Sequence, residues 1–290
     1  MYCEIKLGTK CNNNCIFCLN KNKDLEKNKE SIFRQIQKIE EHDVDEIQLT
    51  GGEPTIRKDF YQICKHIKEK GFNLIIQTNG RMFSYPKFTK KITKLGITKI
   101  CVSLHSHNEE LNSIITRSKN SFNQTIKGIK NLVELKQFVI INCVINKKNI
   151  IYLDEIARLI NTLNVNQVQL SWVRPQGKAK QNIEVIVPKY EEGIQKIKEF
   201  HRLVDNKKTQ VFIMGVPKCL FYDKNINISY TPNGVGIVDN QIIIDTKNKR
   251  MEERMTKNKE CEKCSINSLC EGINKEYYLH YGGNIIKAIK

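Results

Sequence analysis

Apolar and polar residues follow two alternating periods along the first part of the chain. Runs with a period of two predict β-strands over residues 2–7, 46–50, 73–77, 99–104, 138–144 and 167–173. Between these runs apolar residues recur at helical spacing, which predicts helices over residues 32–39, 60–70, 87–95, 121–135 and 151–163. Ser31 is the expected N-cap of the first helix, and Gly71 and Gly96 are expected to end the second and third.

A strand precedes every predicted helix, and this order is typical of parallel strands joined by right-handed crossovers. The pattern therefore predicts an α/β fold. An eight-fold barrel takes about 250 residues by itself, so a partial (βα)6 TIM-like barrel fits the 290-residue chain better. We expect the barrel to span residues 1–208 and a smaller C-terminal region to span residues 209–290.

The composition is that of a folded protein, since 40% of the residues are apolar, which is enough for a core. No run approaches the roughly 18 apolar residues of a membrane span, and the N-terminus lacks the segments of a signal peptide. We therefore expect a cytoplasmic protein. Eleven cysteines in that compartment argue against a disulfide framework and favour metal binding.

The net charge of +17 raises the question of nucleic-acid binding. Most of the positive charge comes from lysines that are scattered along the chain beside Asn and Ile, and many of them fall on the polar faces of predicted helices. No stretch interleaves basic and aromatic residues as a base-stacking surface does. The distribution favours solvated helix faces, and we expect no nucleic-acid partner.

Three cysteines, Cys11, Cys15 and Cys18, lie in one short loop after the first predicted strand, with the spacing C-x3-C-x2-C. No further cysteine or histidine lies nearby to complete the four ligands of a structural zinc site. Thiolates also hold iron–sulfur clusters. Three thiolates on a four-iron cube leave one iron without a protein ligand, free to bind a small molecule.

This loop, with Phe17 before its third cysteine, resembles the cluster loop of radical S-adenosylmethionine (radical SAM) enzymes. The segment Gly51-Gly52-Glu53-Pro54-Thr55, which follows the second predicted strand, resembles the second motif of that family. The resemblance covers roughly the first 180 residues. It implies a [4Fe–4S] cluster on Cys11, Cys15 and Cys18, with S-adenosyl-L-methionine (SAM) bound to the open iron. It also implies reductive cleavage of SAM to a 5′-deoxyadenosyl radical that abstracts hydrogen from the substrate.

The same resemblance indicates which residues contact SAM, because polar groups follow the carboxyl ends of the predicted parallel strands. Gly51, Gly52 and Glu53 are expected to receive its amino group, and Phe17 to lie beside the adenine. Further contacts are expected from strand ends and nearby loops, at Thr78, Asn79, Ser103, His105, Arg117, Asn142 and Val173. An ordinary turn or surface position is the alternative for the polar residues of this set. No residue is assigned to catalysis.

A second group of cysteines lies near the C-terminus: Cys219, Cys261, Cys264 and Cys270. Residues 226–244 alternate Ile and Val with polar residues around Pro232-Asn233-Gly234, which predicts a β-hairpin. A hairpin with a cysteine group resembles the twitch extension of many radical SAM enzymes and implies one auxiliary [4Fe–4S] cluster on the four thiols. A four-thiolate zinc site is the alternative. The remaining cysteines, Cys3, Cys64, Cys101 and Cys143, are expected in the core.

We therefore predict a radical SAM enzyme, and the layout resembles peptide-modifying maturases of natural products. Since the first strand begins at Tyr2, we expect a separate partner to recognise a peptide substrate, and a ferredoxin or flavodoxin to supply electrons. A cofactor-biosynthesis enzyme of the molybdopterin type and an RNA-modifying enzyme are the enzymatic alternatives. An iron–sulfur or zinc protein that senses redox state without catalysis is the alternative from another class.

Overall fold

The structure, a computed structural model, describes residues 1–20, 25–221, 226–229, 234–238, 241–243 and 246–290. The strands of these residues, β1 to β12 in chain order, are Tyr2–Lys6, Glu46–Thr50, Asn73–Thr78, Lys99–Ser103, Val139–Ile145, Gln167–Trp172, Gln210–Met214, Asn227–Ser229, Gly234–Val238, Gln241–Ile243, Met255–Thr256 and Ile273–Asn274. The helices, α1 to α12, are Lys29–Ile39, Phe60–Glu69, Pro86–Thr93, Glu109–Thr116, Ser121–Glu134, Leu153–Leu163, Lys178–Gln181, Ile183–Ile186, Tyr190–Leu203, Thr246–Arg254, Lys259–Glu262 and Lys275–Tyr281.

The main sheet has the order β10-β9-β1-β2-β3-β4-β5-β6-β7-β8 within the described residues. The nine strands from β9 to β8 are parallel to their neighbours, and β10 is antiparallel to β9. From β1 to β6, neighbouring strands are consecutive in the chain and a helix lies between them. The predicted α/β fold with a partial TIM-like barrel is therefore confirmed, and its parallel sheet has nine strands.

The two faces of the sheet differ in polarity, as the period of two predicted. On the face covered by helices, Ile5, Leu49 and Val102 are fully buried. On the opposite face, which we call the lumen, Gln48 and Asn142 are partly exposed and polar. Gln48 donates to Gln77 Oε1 at 3.0 Å, and Ser171 donates to Asn142 Oδ1 at 2.7 Å. The lumen is consequently lined by polar side chains that water can reach.

The buried cysteines follow the same alternation. Cys3, Cys64 and Cys143 are fully buried in the core, as predicted. Burial raises the pKa of the Cys3 and Cys143 thiols to about 12, so both stay protonated at neutral pH. Cys101 was expected in the core as well, but it is half-buried, because it lies between Ile100 and Val102 and these two residues face the helices.

Several helix boundaries differ from the sequence prediction. Helix α1 begins at Lys29, and its N-cap is Asn28, whose side chain accepts a hydrogen bond from the backbone of Ser31 at 2.7 Å. The prediction of Ser31 as the cap was wrong, because residues 29–31 already belong to the first turn. Gly71 and Gly96 do follow helices and have φ of 85° and 72°, which glycine adopts without strain. Helices α4 and α7 to α12 were not predicted.

The predicted hairpin over residues 226–244 was wrong in its pairing. Strand β8 pairs with β7, whereas β9 pairs with β1 near the other end of the sheet. The antiparallel pair is β9 with β10, one strand later than expected. Pro232 and Asn233 of the predicted turn lie outside the described residues.

The short connection between β8 and β9 shows how strongly the sheet curves. Ser229 ends β8 and Gly234 begins β9, so the two lie within about 18 Å of each other. Because they belong to opposite sides of the sheet, the sheet must curl toward closure. Residues beyond 208 thus contribute strands to the same sheet, and the boundary between residues 208 and 209 stays a prediction. None of the helices in the described ranges combines the length and apolar character that crossing a bilayer requires.

Candidate active site

The loop with Cys11, Cys15 and Cys18 follows β1 at the carboxyl edge of the sheet. All three thiols are half-buried and free of disulfides. The backbone N–H of Asn14 donates to Thr116 O at 2.8 Å, and that of Ile16 donates to Ile115 O at 2.9 Å. These bonds fix the middle of the loop against the end of α4. These two hydrogen bonds therefore give the middle of the loop a defined position.

The Gly51-Gly52 pair packs closely against the backbone of residues 8–10, which lead into the loop. The N–H of Gly52 donates to Gly8 O at 2.9 Å, and that of Glu53 donates to Lys10 O at 2.8 Å. A Cβ at Gly52 would lie 2.1 Å from Lys10 O, and one at Gly51 would lie 2.4 Å from Gly8 O. Only glycine allows this approach. The packing explains both glycines without a ligand, and their contact with SAM stays a prediction.

Glu53 is buried, and both of its carboxylate oxygens accept hydrogen bonds. Oε1 accepts from the Thr78 hydroxyl at 2.6 Å and from the Thr55 hydroxyl at 2.5 Å, and Oε2 accepts from the Asn79 N–H at 2.6 Å. Burial raises the pKa of Glu53, and these hydrogen bonds oppose the rise. Glu53 thus joins the end of β2 to the end of β3, where two of the predicted SAM contacts lie.

Asn79 and Arg81 continue this network up to the cluster loop. The Asn79 amide donates to Asn12 Oδ1 at 2.6 Å. Arg81 donates to Asn12 O at 2.5 Å, to Asn13 Oδ1 at 2.8 Å and to the Ser118 hydroxyl at 3.0 Å. The sequence analysis missed Arg81. Its only local signal is its position directly after Thr78-Asn79-Gly80, at the end of a strand.

The far side of the loop is held by the segment after β6. A Cβ at Gly177, whose φ is 55°, would lie 2.6 Å from Cys18 O. The backbone of Lys178 donates to the same oxygen at 3.1 Å, and its ammonium group donates to Asn14 Oδ1. Asn20 donates to Gly51 O at 3.0 Å. The loop is therefore clamped between the β2, β3 and β6 ends of the sheet, and Lys178 was not identified from the sequence either.

The predicted residues on β4 and β5 lie beside this clamp. The ring of Phe17 meets the edge of His105 at 5.0 Å between centroids and 86° between planes. His105 is buried, and burial lowers its pKa to about 4. Its Nδ1 accepts the Val144 N–H at 3.1 Å, so the proton of the neutral ring lies on Nε2. Ser103 pairs in register with Asn142 on the lumen face.

The last two predicted contacts differ in exposure. Arg117 is exposed at the end of α4, with φ of 50°, and its side chain has no hydrogen bond in the described part of the chain. Val173 is buried directly after β6, and its N–H donates to Ile145 O at 3.1 Å. The structure thus brings most of the predicted set together around the cluster loop, and a role for each residue in SAM binding stays a prediction.

The C-terminal cysteines meet at a second site. Cys219, Cys261, Cys264 and Cys270 all line one cavity that is partly open to solvent. Burial raises the pKa of Cys219, and the charges of the other three thiols raise it further. Since these residues are up to 51 positions apart in the chain, the fold has collected all four predicted thiols around one space.

Neither group of thiols converges on a single point. In the described residues, no three Cys, His, Asp or Glu side chains stand close enough together to hold one metal ion. A zinc ion draws its sulfur ligands to about 2.3 Å, whereas a four-iron cube is an extended group with one ligand at each corner. The donor sets, three soft thiols in the first loop and four around the second cavity, fit such a cube.

Aromatic residues connect the second site to the barrel. Tyr277 packs on Tyr190 with ring centroids 4.2 Å apart, and Tyr190 packs on Trp172 at 4.9 Å. The Tyr277 hydroxyl accepts the Tyr190 N–H at 2.8 Å. Tyr277 and Tyr190 are buried, and burial raises the pKa of both phenols. These contacts pack the C-terminal tail against the barrel.

Comparison with known proteins gives three findings. Residues 5–160, more than half of the chain, match the sequence profile of the Radical SAM superfamily. The chain is 28% identical over 210 residues to a protein of Saccharolobus islandicus named "Probable GTP 3',8-cyclase", an alignment that covers 71% of this chain and 66% of that protein. It is 30% identical over 204 residues to a protein of the same name from Sulfurisphaera tokodaii, covering 68% and 62%.

The third finding is a similarity of fold. The crystal structure of Streptococcus suis SuiB bound to S-adenosylmethionine superposes with a TM-score of 0.66 at 14% identity, covering 100% of this chain and 76% of that chain. SuiB has also been solved with its precursor peptide SuiA, and the superposition is equivalent, with a TM-score of 0.65. The similarity to SuiB extends over the second cysteine site, whereas this chain covers slightly less than two thirds of the two cyclases.

Proposed function

Because the chain belongs to the radical SAM superfamily, whose enzymes use a [4Fe–4S] cluster and SAM, we propose that it binds the cluster through Cys11, Cys15 and Cys18 and modifies a peptide. When bound, the cluster supplies the electron that cleaves SAM and generates the radical that abstracts hydrogen from the substrate. The observation that carries this proposal is the three-thiol loop, which is clamped from three strand ends. The sequence has no further cysteine or histidine close to this loop.

The chain's own residues have distinct roles in this proposal. Glu53, Asn79 and Arg81 position the loop. Glu53 accepts a hydrogen bond from Asn79, and Asn79 and Arg81 donate hydrogen bonds to Asn12 and Asn13 of the loop. Phe17 and His105 form an apolar, uncharged wall beside the thiols, which suits an adenine ring and excludes water. Ser103 and Asn142 supply polar groups on the lumen face for the ribose or the methionine carboxylate of SAM.

The second site is proposed to hold an auxiliary [4Fe–4S] cluster on Cys219, Cys261, Cys264 and Cys270. Four protein thiolates occupy every corner of a cube, so such a cluster has no iron left for a substrate atom. The side chains of the lumen must then hold the substrate, and the second cluster serves electron transfer or bracing. The contact between Tyr190 and Tyr277 ties this site to the barrel.

A peptide substrate is supported by two features. The fold matches SuiB, which has been solved with a precursor peptide, over the whole of this chain. The lumen is polar and open, so an extended segment can enter it. We propose that a separate partner protein presents the peptide and that a ferredoxin or flavodoxin supplies electrons.

A second candidate is the cyclisation of GTP, and the sequence relatives named as cyclases favour it. The two candidates share SAM cleavage and differ in the substrate of the lumen. Incubation of the reduced protein with SAM and GTP separates them. Formation of a cyclised nucleotide would establish the second candidate. A mass shift in a peptide that is encoded beside the gene, together with transfer of label from that peptide to 5′-deoxyadenosine, would establish peptide modification.

The experiment that tests the cluster assignment uses Cys15→Ala, with Cys64→Ala as the matched control. Cys64 is also a free cysteine but is buried within α2, away from both sites. After anaerobic reconstitution we expect about eight irons per chain for the parent and for Cys64→Ala, and about four for Cys15→Ala. Cys15→Ala should form no 5′-deoxyadenosine from SAM and dithionite. Cleavage of SAM by Cys15→Ala at the parent rate would contradict the assignment, and one zinc with about four irons would give the second site to zinc.

A further inference from the structure

The segment of residues 283–290, which we call the strap, runs along the second cysteine site. Its residues Ile286 and Lys287 line the same cavity as the four thiols. The strap belongs to no helix or strand, yet Ile286 is buried. The strap therefore forms one wall of the space between the thiols.

Hydrogen bonds hold the strap at both ends. At its beginning, the Asn258 side chain donates to Gly283 O at 3.3 Å, and the N–H of Ile286 donates to the same oxygen at 3.0 Å. At its end, Ser265 donates twice to Ile289 O, through its backbone N–H at 2.9 Å and through its hydroxyl at 3.1 Å. Asn258 and Ser265 enclose the segment that carries two of the four thiols. The strap is thus fastened to that segment.

One N–H group of the strap points at a thiol of the site. The N–H of Ile289 donates to Cys264 Sγ at 3.4 Å, across 25 positions of the chain. Cys270 also accepts a backbone N–H, that of Gly272 at 3.4 Å, but this bond closes a local turn of two residues. The contact between Ile289 and Cys264 exists only because the strap is fastened beside the site.

An N–H group at a ligand sulfur acts on the electron affinity of a cluster. A four-iron cube on four thiolates gains one negative charge when it takes up one electron, and no covalent bond changes in that step. Hydrogen bonds to charged acceptors strengthen with the charge that they face. The N–H dipole therefore stabilises the reduced state more than the oxidised state, and hydrogen bonds to the sulfurs raise the reduction potential.

We propose that Ile289, held by Ser265, is a positioning residue of the second site, whose backbone N–H raises the reduction potential of a cluster on the four thiols. The inference rests on the proposed function, which assigns an auxiliary [4Fe–4S] cluster to this site. The electron comes from the proposed ferredoxin or flavodoxin, which loses one electron as the cluster gains one. Loss of the N–H makes this uptake less favourable, whereas a strap that only braces the site has no such effect.

The backbone role of Ile289 gives a matched pair of variants, because proline lacks the N–H and alanine keeps it. Ile289→Pro and its control Ile289→Ala are made in a Cys15→Ala chain, so that a single cluster gives the signal. After anaerobic reconstitution, a redox titration followed by electron paramagnetic resonance gives the midpoint potential, and iron release to a chelator is timed. We expect Ile289→Pro to lower the equilibrium constant for reduction about tenfold, which is about 59 mV for one electron. Ile289→Ala should keep the parent potential.

A second comparison covers the case in which Ile289→Pro does not fold. A synthetic segment from Cys270 to Lys290 is ligated at Cys270 to residues 1–269. In one product the amide group of Ile289 is replaced by an ester, which removes the N–H and keeps every side chain; in the control product the amide is retained. The ester product should show the same lowering of the midpoint potential.

Equal midpoint potentials in Ile289→Pro and Ile289→Ala, or in the ester and amide products, would overturn the proposal. Faster iron release without a shift in potential would reduce the strap to a brace. A zinc ion at the second site, with no paramagnetic signal on reduction, would overturn the proposal as well. SAM cleavage by the unsubstituted chain is measured separately. A chain that cleaves SAM but shows no shift therefore keeps the proposed function, and a chain that forms no 5′-deoxyadenosine loses it.

Discussion

The tightest contact in the candidate active site leads to a quantitative prediction for Gly52→Ala. The φ of Gly52 lies outside the left-handed region, so alanine meets no backbone strain there. Space is the only obstacle, since the new Cβ would lie 2.1 Å from Lys10 O and 2.5 Å from Thr9 O. Both neighbours are backbone atoms, which cannot rotate away as a side chain can.

The magnitude follows from these distances. Real Cβ atoms essentially never come closer than 3.0 Å, so Lys10 O and the new Cβ must separate by about 0.9 Å. Lys10 directly precedes Cys11, and the shift therefore moves the first thiol. Overpacking of this kind costs about 1–3 kcal/mol of folding free energy. A displacement of about 1 Å at a reacting centre lowers the rate about 100-fold.

The assay combines three measurements on Gly52→Ala: the free energy of unfolding in denaturant, the iron content after anaerobic reconstitution, and the rate of 5′-deoxyadenosine formation from SAM. Gly71→Ala is the control, because no heavy atom lies within 4 Å of its Cβ and its φ of 85° adds strain alone. The control should lose about 1 kcal/mol of stability and keep its iron. If Gly52→Ala keeps the parent iron content and a SAM cleavage rate within threefold, the reasoning from backbone contact is refuted.

Two further predictions concern the clamp and the wall of the site. Arg81→Leu removes the charged hydrogen bonds to Asn12 and Asn13 and should lower the free energy of unfolding by about 2 kcal/mol, measured in denaturant against the exposed Arg158→Leu; equal loss in both variants would contradict the clamp. The pKa of His105 is about 4 in the folded protein, below its ordinary value of 6.5. Unfolding therefore takes up a proton as the pH falls from 7 to 4, and stability should drop over that range by as much as about 3 kcal/mol. A His105→Gln variant should lack this part of the pH dependence, and the same acid-induced loss in that variant would show that other groups cause it.

Much of the barrel could be predicted because its signals are local. The period of two in Glu46–Thr50 and Lys99–Ser103 marks strands whose one face is buried, and the helices between them follow from apolar spacing. The prediction failed where a local pattern of alternating residues identifies strands but does not identify the strands they pair with. Residues 226–244 have the pattern of a hairpin, but β8 and β9 found better partners in β7 and β1, at opposite sides of the curled sheet.

The candidate site shows the same division. Glu53, Thr78 and Asn79 were expected to contact SAM, and they join into one buried network that holds the cluster loop. Arg81 and Lys178 were missed, because an isolated arginine or lysine in a lysine-rich chain has no distinguishing pattern. Their function depends on Asn13 and Asn14, which lie 68 and 164 positions away in the chain.

The sequence by itself determined that Cys11, Cys15 and Cys18 lie in one loop, because three thiols within eight residues stay together in any fold that keeps the loop. It also determined that Gly51-Gly52 follows a strand, since the period of two in Glu46–Thr50 and the glycine pair are both local signals. Only the tertiary structure decided that Lys10 and Gly52 touch and that four distant thiols share one cavity. Such contacts arise from how the sheet curls and where its edges meet. That geometry comes from packing of the whole chain, and no short segment encodes it.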